Sequence, residues 1–162
     1  MSAEVADTPD TPATRAAAAT GVAFTVVRTE RPSSAEESAA LQGIEVRQLI
    51  RTIVVRISAD DHVLVLVPGG RQIDWPKLRQ HLGTRRLSLP DEAEAKAATG
   101  YERGAITPFG STTAWPVVAD ATILDVEVVA IGGGARGVNL HLAPGDVVRA
   151  TGADVADVTR PA

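Results

Sequence analysis

The chain has 162 residues, 16 Lys and Arg against 20 Asp and Glu, a net charge of −4 and a mean hydropathy of +0.06, which suit one ordinary globular domain. Cysteine is absent, which excludes disulfides, thiolate nucleophiles, cysteine-bound zinc and iron–sulfur clusters. His62, His81 and His141 stand far apart without ligand spacing, so neither a metal nor a cofactor is expected. A body this close to neutral lacks the many cations that hold long duplexes, so DNA is not an expected partner, whereas a small RNA surface of a few arginines stays open. No apolar run nears the ~18 residues of a spanning helix, and the N-terminus has no secretory pattern. A cytoplasmic protein without membrane contact is expected.

Residues 1–12, rich in Thr, Pro, Asp and Ala without apolar periodicity, read as a disordered tail before a domain over 13–160. Thr14–Thr20 is an alanine-rich helix stopped by Gly21, and Val22–Arg28 a strand. Ser34 and Glu37 have the spacing of a capping box, which starts a helix that Gly43 ends. Thr52–Ile57 and His62–Val67 are β-rich runs around the polar turn SADD and predict a hairpin. Asp74 caps a helix through His81, with Pro76 in its first turn. A short strand at Arg86–Leu89 follows, then a helix over Pro90–Thr99 with acids early and Lys96 late, ended by Gly100. Strands are predicted at Trp115–Ala119, Val126–Ile131 and Val138–Leu142, a helix over Pro144–Ala150, and a last strand at Asp154–Val158. Strands grouped like hairpins, with helices inserted irregularly, indicate an α+β domain with a mixed, largely antiparallel sheet.

Three stretches raise functional questions. Gly132–Gly137 (GGGARG) matches the dinucleotide-binding glycine spacing. That site needs a following helix to hold the pyrophosphate, whereas VNLHL alternates as a strand does. A glycine-rich hairpin turn is the plain reading, and a turn whose backbone approaches a ligand the functional one. Asp120 and Asp125 either flank a site or, more ordinarily, shape turns. The third stretch, Gly100–Gly110 (GYERGAITPFG), places two of the five aromatic residues in a glycine-proline loop. By themselves these residues define no reaction.

TGYERGAITPFG, PVVADATIL, GGGARGVNLHL and APGDVVRATGADVADV, with SSAEESAALQGIEVRQLIRTIVV upstream, together resemble the YbaK family of aminoacyl-tRNA deacylases, related to the editing domain of prolyl-tRNA synthetase. The resemblance spans roughly residues 33–158. It implies a barrel-like mixed sheet flanked by helices. It further implies hydrolysis of the ester joining a small mischarged amino acid to the 3′ end of tRNA, usually that for proline. The implied partners are aminoacyl-tRNA and an aminoacyl-tRNA synthetase, and no metal is required. Catalysis in the family leans on backbone groups and the terminal 2′-hydroxyl of the tRNA.

Carried onto this chain, the family's Gly-x-x-x-Pro element falls on Gly104, Ala105, Ile106, Thr107 and Pro108. Gly104 brings the backbone to the ester, and the loop amides offer an oxyanion site. Tyr101 and Phe109 are expected to pack this loop onto the body. Arg51, before Thr52, stands where the family has Lys in a Lys-Thr pair. Asn139 stands where cysteine-clearing members often have Asp. The implied site is the cleft between Arg51, the Gly104–Pro108 loop and the Gly132–Gly137 turn, with Arg51 and Gly104 as the catalytic positions and Thr52, Ala105–Pro108, Gly133, Gly134 and Asn139 as the substrate-binding set. A binding module that kept the fold but lost turnover is the alternative.

Overall fold

The computed structural model describes residues 9–30 and 32–162. Helix α1 (Pro12–Thr20) and strand β1 (Thr25–Arg28) precede helix α2 (Ala35–Gln42). The hairpin of β2 (Leu49–Ser58) and β3 (Asp61–Pro68) comes next, then β4 (Arg71–Ile73), α3 (Trp75–Leu82), α4 (Glu92–Thr99) and β5 (Val117–Asp120). β6 (Val129–Gly132), β7 (Val138–Leu142), α5 (Pro144–Thr151), β8 (Asp154–Ala156) and β9 (Thr159–Pro161) complete the order.

Seven strands form one mixed sheet in the order β1-β7-β6-β2-β3-β5-β8, and β4 pairs with β9 in a second, two-stranded sheet. Within the large sheet the antiparallel pairs are β1–β7, β7–β6 and β2–β3, while β2–β6, β3–β5 and β5–β8 are parallel. β3 is an interior strand, paired on both edges and covered on both faces, which explains its unbroken apolar run. Leu64 and Leu66 enter the larger core on one face, and Val63, Val65 and Val67 the smaller core on the other.

Local signals set the helix ends. Ser34 Oγ accepts from the Glu37 amide at 3.0 Å, but the Glu37 carboxylate reaches back to the amide of Ser33, not Ser34. The box is thus displaced by one residue in its return bond. Asp74 and Asp91 cap α3 and α4 by accepting from the amides of Lys77 and Glu94. The left-handed glycines 21, 43, 83, 100 and 152 terminate the five α-helices among the described residues.

Several expectations are corrected. The helix placed from Thr14 begins at Pro12, because Thr11 Oγ1 accepts from the Thr14 amide and caps it. Residues 1–8 of the expected tail lie outside the described residues, whereas Thr11 is buried. The strand at Arg86–Leu89 reduces to one bridge, Ser88 to Arg56. Residues 121–125 coil as a 3₁₀ turn, so the strand expected from Val126 begins at Val129. The final strand expected at Asp154–Val158 stops at Ala156 as β8 on the large sheet, and a further short strand, β9, pairs with β4 instead.

Asp120 ends β5 with a side chain 1% exposed, and its role is to tie the two sheets together. Its carboxylate accepts from the amide and hydroxyl of Thr122 and, at 3.1 Å, from the amide of Val158, with Arg71 Nε 3.8 Å away. Burial acts to raise its pKa. Hydrogen bonds from Thr122, Val158 and Thr159 outweigh burial and hold the carboxyl below its usual 3.8. A carboxyl depressed in the fold contributes stability that is complete above the unfolded pKa and is lost as pH falls through the folded value. Asp120→Asn should therefore lower stability at pH 7 by about 1–3 kcal/mol. It should also flatten the loss of stability below about pH 4, where the parent carboxylate takes up its proton. Urea unfolding at pH 7 and pH 3 checks this, and parallel acid limbs in parent and variant would refute it. Asp125 is exposed at the end of the 3₁₀ turn and makes no side-chain hydrogen bond among the described residues, so the turn is shaped by Asp120.

Candidate functional site

Strand register places the functional positions. Leu49 and Ile50 of β2 pair with Ala130 and Ile131 of β6, so Arg51 comes alongside Gly132 one position further on. Gly132 pairs with Asn139 of β7, which pairs with Val27 of β1. Ile50, Ile131, Val138 and Leu140 point into the larger core, so alternation turns Arg51 and Asn139 to the opposite face. Gly132 stands between them without a side chain. A Cβ there would come within 3.0 Å of the Ile106 carbonyl oxygen, so this glycine is what admits the Gly104–Pro108 loop.

The loop is held from beneath. Tyr101 and Phe109 are 4% and 3% exposed, and the Tyr101 hydroxyl donates to the Phe109 carbonyl at 2.6 Å, closing the base of the loop. Desolvation raises the Tyr101 pKa, opposed by the nearby Arg15 charge, so the phenol stays a donor. Both aromatics pack the loop onto the body, as the sequence suggested, and Tyr101 is closed to base stacking. Ala105 and Thr107 are buried, and Ile106 packs against the larger core. The Ala105 amide donates to the Glu102 carbonyl at 2.9 Å, and the Phe109 amide to Thr107 Oγ1. Among the described residues the amides of Gly104, Ile106 and Thr107 donate to no protein acceptor. Gly104 itself is exposed at φ +91°.

The glycine turn faces this loop. Gly134 (φ +87°) packs on Ala13, Tyr101 and Thr11, and Thr11 Oγ1 donates to the Gly133 carbonyl at 2.6 Å. Helix α1 thereby buttresses the turn, a contact that no sequence motif announced. Arg136 reaches across to Gly104's neighbour, its Nε and Nη2 donating to the Arg103 carbonyl at 3.4 and 3.2 Å.

Between these parts lies a cavity of about 530 Å³. Thr29, Pro32 and Ser38 line one side, and Arg103, Gly104, Arg136 and Gly137 the other, with Asn139 on β7. Asn139 Nδ2 donates to the Val27 carbonyl at 3.2 Å. Next to it on the same face, His141 Nε2 lies 2.8 Å from Gln42 Oε1, and burial holds its imidazole pKa below the usual 6.5.

Of the expected site residues, the structure brings Gly104 and Asn139 to this cavity. Arg51 shares their sheet face but not the cavity lining. Its exposed guanidinium donates from Nη2 to the Arg71 carbonyl at 2.6 Å. Thr52 turns to the larger-core side, where its Oγ1 is buried without a partner among the described residues. Ala105, Ile106, Thr107, Gly133 and Gly134 shape the loop and turn from behind. Sequence reasoning missed Arg103 and Arg136 as lining residues. The available signal was that each sits inside one of the two glycine motifs.

The cavity of this small α+β domain is thus lined by main-chain groups of the Gly104 loop and by residues of both glycine motifs, Arg103 and Arg136 among them. The family model described as "Aminoacyl-tRNA editing domain" matches residues 29–150, and the chain belongs to that family. Among relatives, the proposed Cys-tRNA(Pro)/Cys-tRNA(Cys) deacylase EbsC of Enterococcus faecalis is 27% identical over 78% of this chain and 77% of its own length. A proline–tRNA ligase of Stenotrophomonas maltophilia is 32% identical over 82% of this chain but only 23% of its own length, so the chain spans about a quarter of that enzyme. The crystal structure of a proposed trans-editing enzyme for prolyl tRNA synthetase superposes with a TM-score of 0.81 at 26% identity, covering 94% of this chain and 99% of that one.

Proposed function

We propose that this chain is a trans-editing aminoacyl-tRNA deacylase that hydrolyses the ester of a small mischarged amino acid on the 3′ end of tRNA, with tRNA for proline as the carrier. The observation that carries this reading is the Gly104 loop. It brings the Gly104 amide, which has no protein acceptor among the described residues, to a cavity whose opposite motif supplies Arg136, with the similarly free amides of Ile106 and Thr107 next along the loop. Water adds to the ester carbonyl, the oxyanion takes hydrogen bonds from loop amides, and collapse releases the amino acid and restores the ribose hydroxyl. Amides held in place by buried Ala105 and Thr107 need little reorganisation as charge develops. Activation of the water is assigned to the terminal 2′-hydroxyl of the tRNA, in keeping with the family. Asn139 contacts the aminoacyl group without the charge an aspartate would bring, and Arg51 positions the substrate electrostatically.

Purified protein assayed against tRNAs charged with cysteine, alanine, serine, threonine and proline should release one non-cognate amino acid. Release from none of them would overturn the reading. On the best substrate, Arg51→Lys should retain or raise the rate, because the cation remains, and Arg51→Ala should lose about 10–100-fold, the worth of a charged hydrogen bond. An alanine variant as active as the parent would make Arg51 a bystander whose partner is the Arg71 carbonyl. That engagement favours a second reading, a module that binds aminoacyl ends without turnover. Binding without release would select it.

A further inference from the structure

Among the described residues the cavity lining contains two arginines and no carboxylate, on a chain whose net charge is −4. The two arginines come from different motifs, and Arg136 closes onto the main chain of Arg103. Arg136 spends Nε and one Nη2 hydrogen on the Arg103 carbonyl, which fixes its plane. Its Nη1 donates to no protein acceptor among the described residues. Arg103 Nη1 is 3.1 Å from Glu92 Oε1, but both side chains are more than two-thirds exposed, at 79% and 71%, so this pair exchanges readily for a stronger partner. A Cβ on Gly104 would stand 3.7 Å from Arg136 Nε, which puts the guanidinium beside the loop backbone. A fixed guanidinium with free donors, and a second arginine in the same lining whose exposed partner Glu92 is readily displaced, is the arrangement that recognises phosphate.

We propose that Arg136 and Arg103 form an anion subsite for the 5′-phosphate of the nucleotide that carries the aminoacyl ester. The inference rests on the deacylase reading above for its choice of nucleotide. The ester lies on the Gly104 loop and the phosphate, one sugar ring away, on the guanidinium pair. The smallest fully recognised ligand is then a 5′-phosphorylated aminoacyl nucleotide, not an aminoacyl nucleoside. Arg136 also acts as a positioning residue, since its bonds to the Arg103 carbonyl tie the glycine turn to the loop.

Calorimetric binding of a hydrolysis-resistant probe, 3′-deoxy-3′-(alanylamino)adenosine, with and without a 5′-phosphate, tests this without relying on turnover. The phosphate should strengthen binding to the parent about tenfold or more at low salt, with the gain shrinking as salt rises. Arg136→Ala and Arg103→Ala should each remove much of the gain, Arg136→Lys should keep part of it, and Arg85→Ala, remote from the cavity lining, should leave it whole. Should Arg136→Ala fail to fold, Arg103→Ala and Arg136→Lys carry the comparison. Equal affinity for the two probes, no binding of either, or a gain that survives the folded arginine variants would overturn the subsite. A phosphate-dependent gain in a protein that releases no amino acid would sink the hydrolase reading alone. Release without phosphate preference would sink the subsite alone.

Discussion

Gly104→Ala is expected to lower kcat on the best aminoacyl-tRNA by about 100-fold or more while leaving the fold in place. Gly104 holds φ +91°, a conformation alanine adopts only under strain, so the substitution forces the backbone to rotate. Space is not the obstacle, because the nearest atom to an added Cβ would be Arg136 Nε at an ordinary 3.7 Å. Rotation re-aims the Gly104 amide, and misplacement of an oxyanion donor by a fraction of an ångström is costly. The residue is exposed and outside both cores, so the stability loss should stay near 1–2 kcal/mol. Single-turnover deacylation and thermal unfolding on the same preparation check this. Losses of activity and folding in step would return Gly104 to plain loop punctuation.

Gly137→Ala should behave in the opposite way, with folding failing first. Gly137 also has positive φ, +78°, but a Cβ there would sit 2.6 Å from the Thr29 carbonyl oxygen, on backbone that has nowhere to go. The Thr29 amide donates to the Gly137 carbonyl at 2.9 Å, so this close approach stitches the end of β1 to the glycine turn. Backbone strain and overpacking together should cost about 2–4 kcal/mol. For a domain of this size that corresponds to a fall in Tm of roughly 5–15 °C. Residual activity per folded molecule should also drop, because Thr29 and Gly137 both line the cavity. A variant that melts with the parent would show that the turn relaxes freely, and the cavity wall would then be softer than its packing implies.

Gly104 and Gly137 look alike in the sequence, and the difference between them arises from their neighbours. Much of the fold was nevertheless legible. The caps Ser34 and Asp74, the early acids and late Lys96 of α4, and the terminating glycines act within a few residues, so α2, α3 and α4 could be placed from composition and spacing. The hairpin of β2 and β3 was equally local, its turn only two residues long. What eluded the sequence depends on partners distant in the chain. β4 and β9 are three-residue strands that exist because they pair across 88 positions, and they carry too few residues for a periodic signal. Thr11 reads as part of a polar tail until its hydroxyl meets the Gly133 carbonyl, 122 positions away.

For the site, the two glycine motifs and Asn139 were visible as chemistry, because glycine at a backbone-approach position and a strand beyond a turn are local facts. By itself the sequence determined an α+β domain without thiol or clustered-histidine chemistry, capped helices at known places, and two glycine loops whose joint pattern marks the aminoacyl-tRNA editing family. Tertiary structure alone decided that Gly104, Asn139, Arg103 and Arg136 share one cavity while Arg51, on the same sheet face, reaches to the Arg71 carbonyl instead. The reason is geometric: alternation along a strand sets the face of a side chain, but strand order and register set its neighbours, and both arise from pairings between segments far apart in the chain.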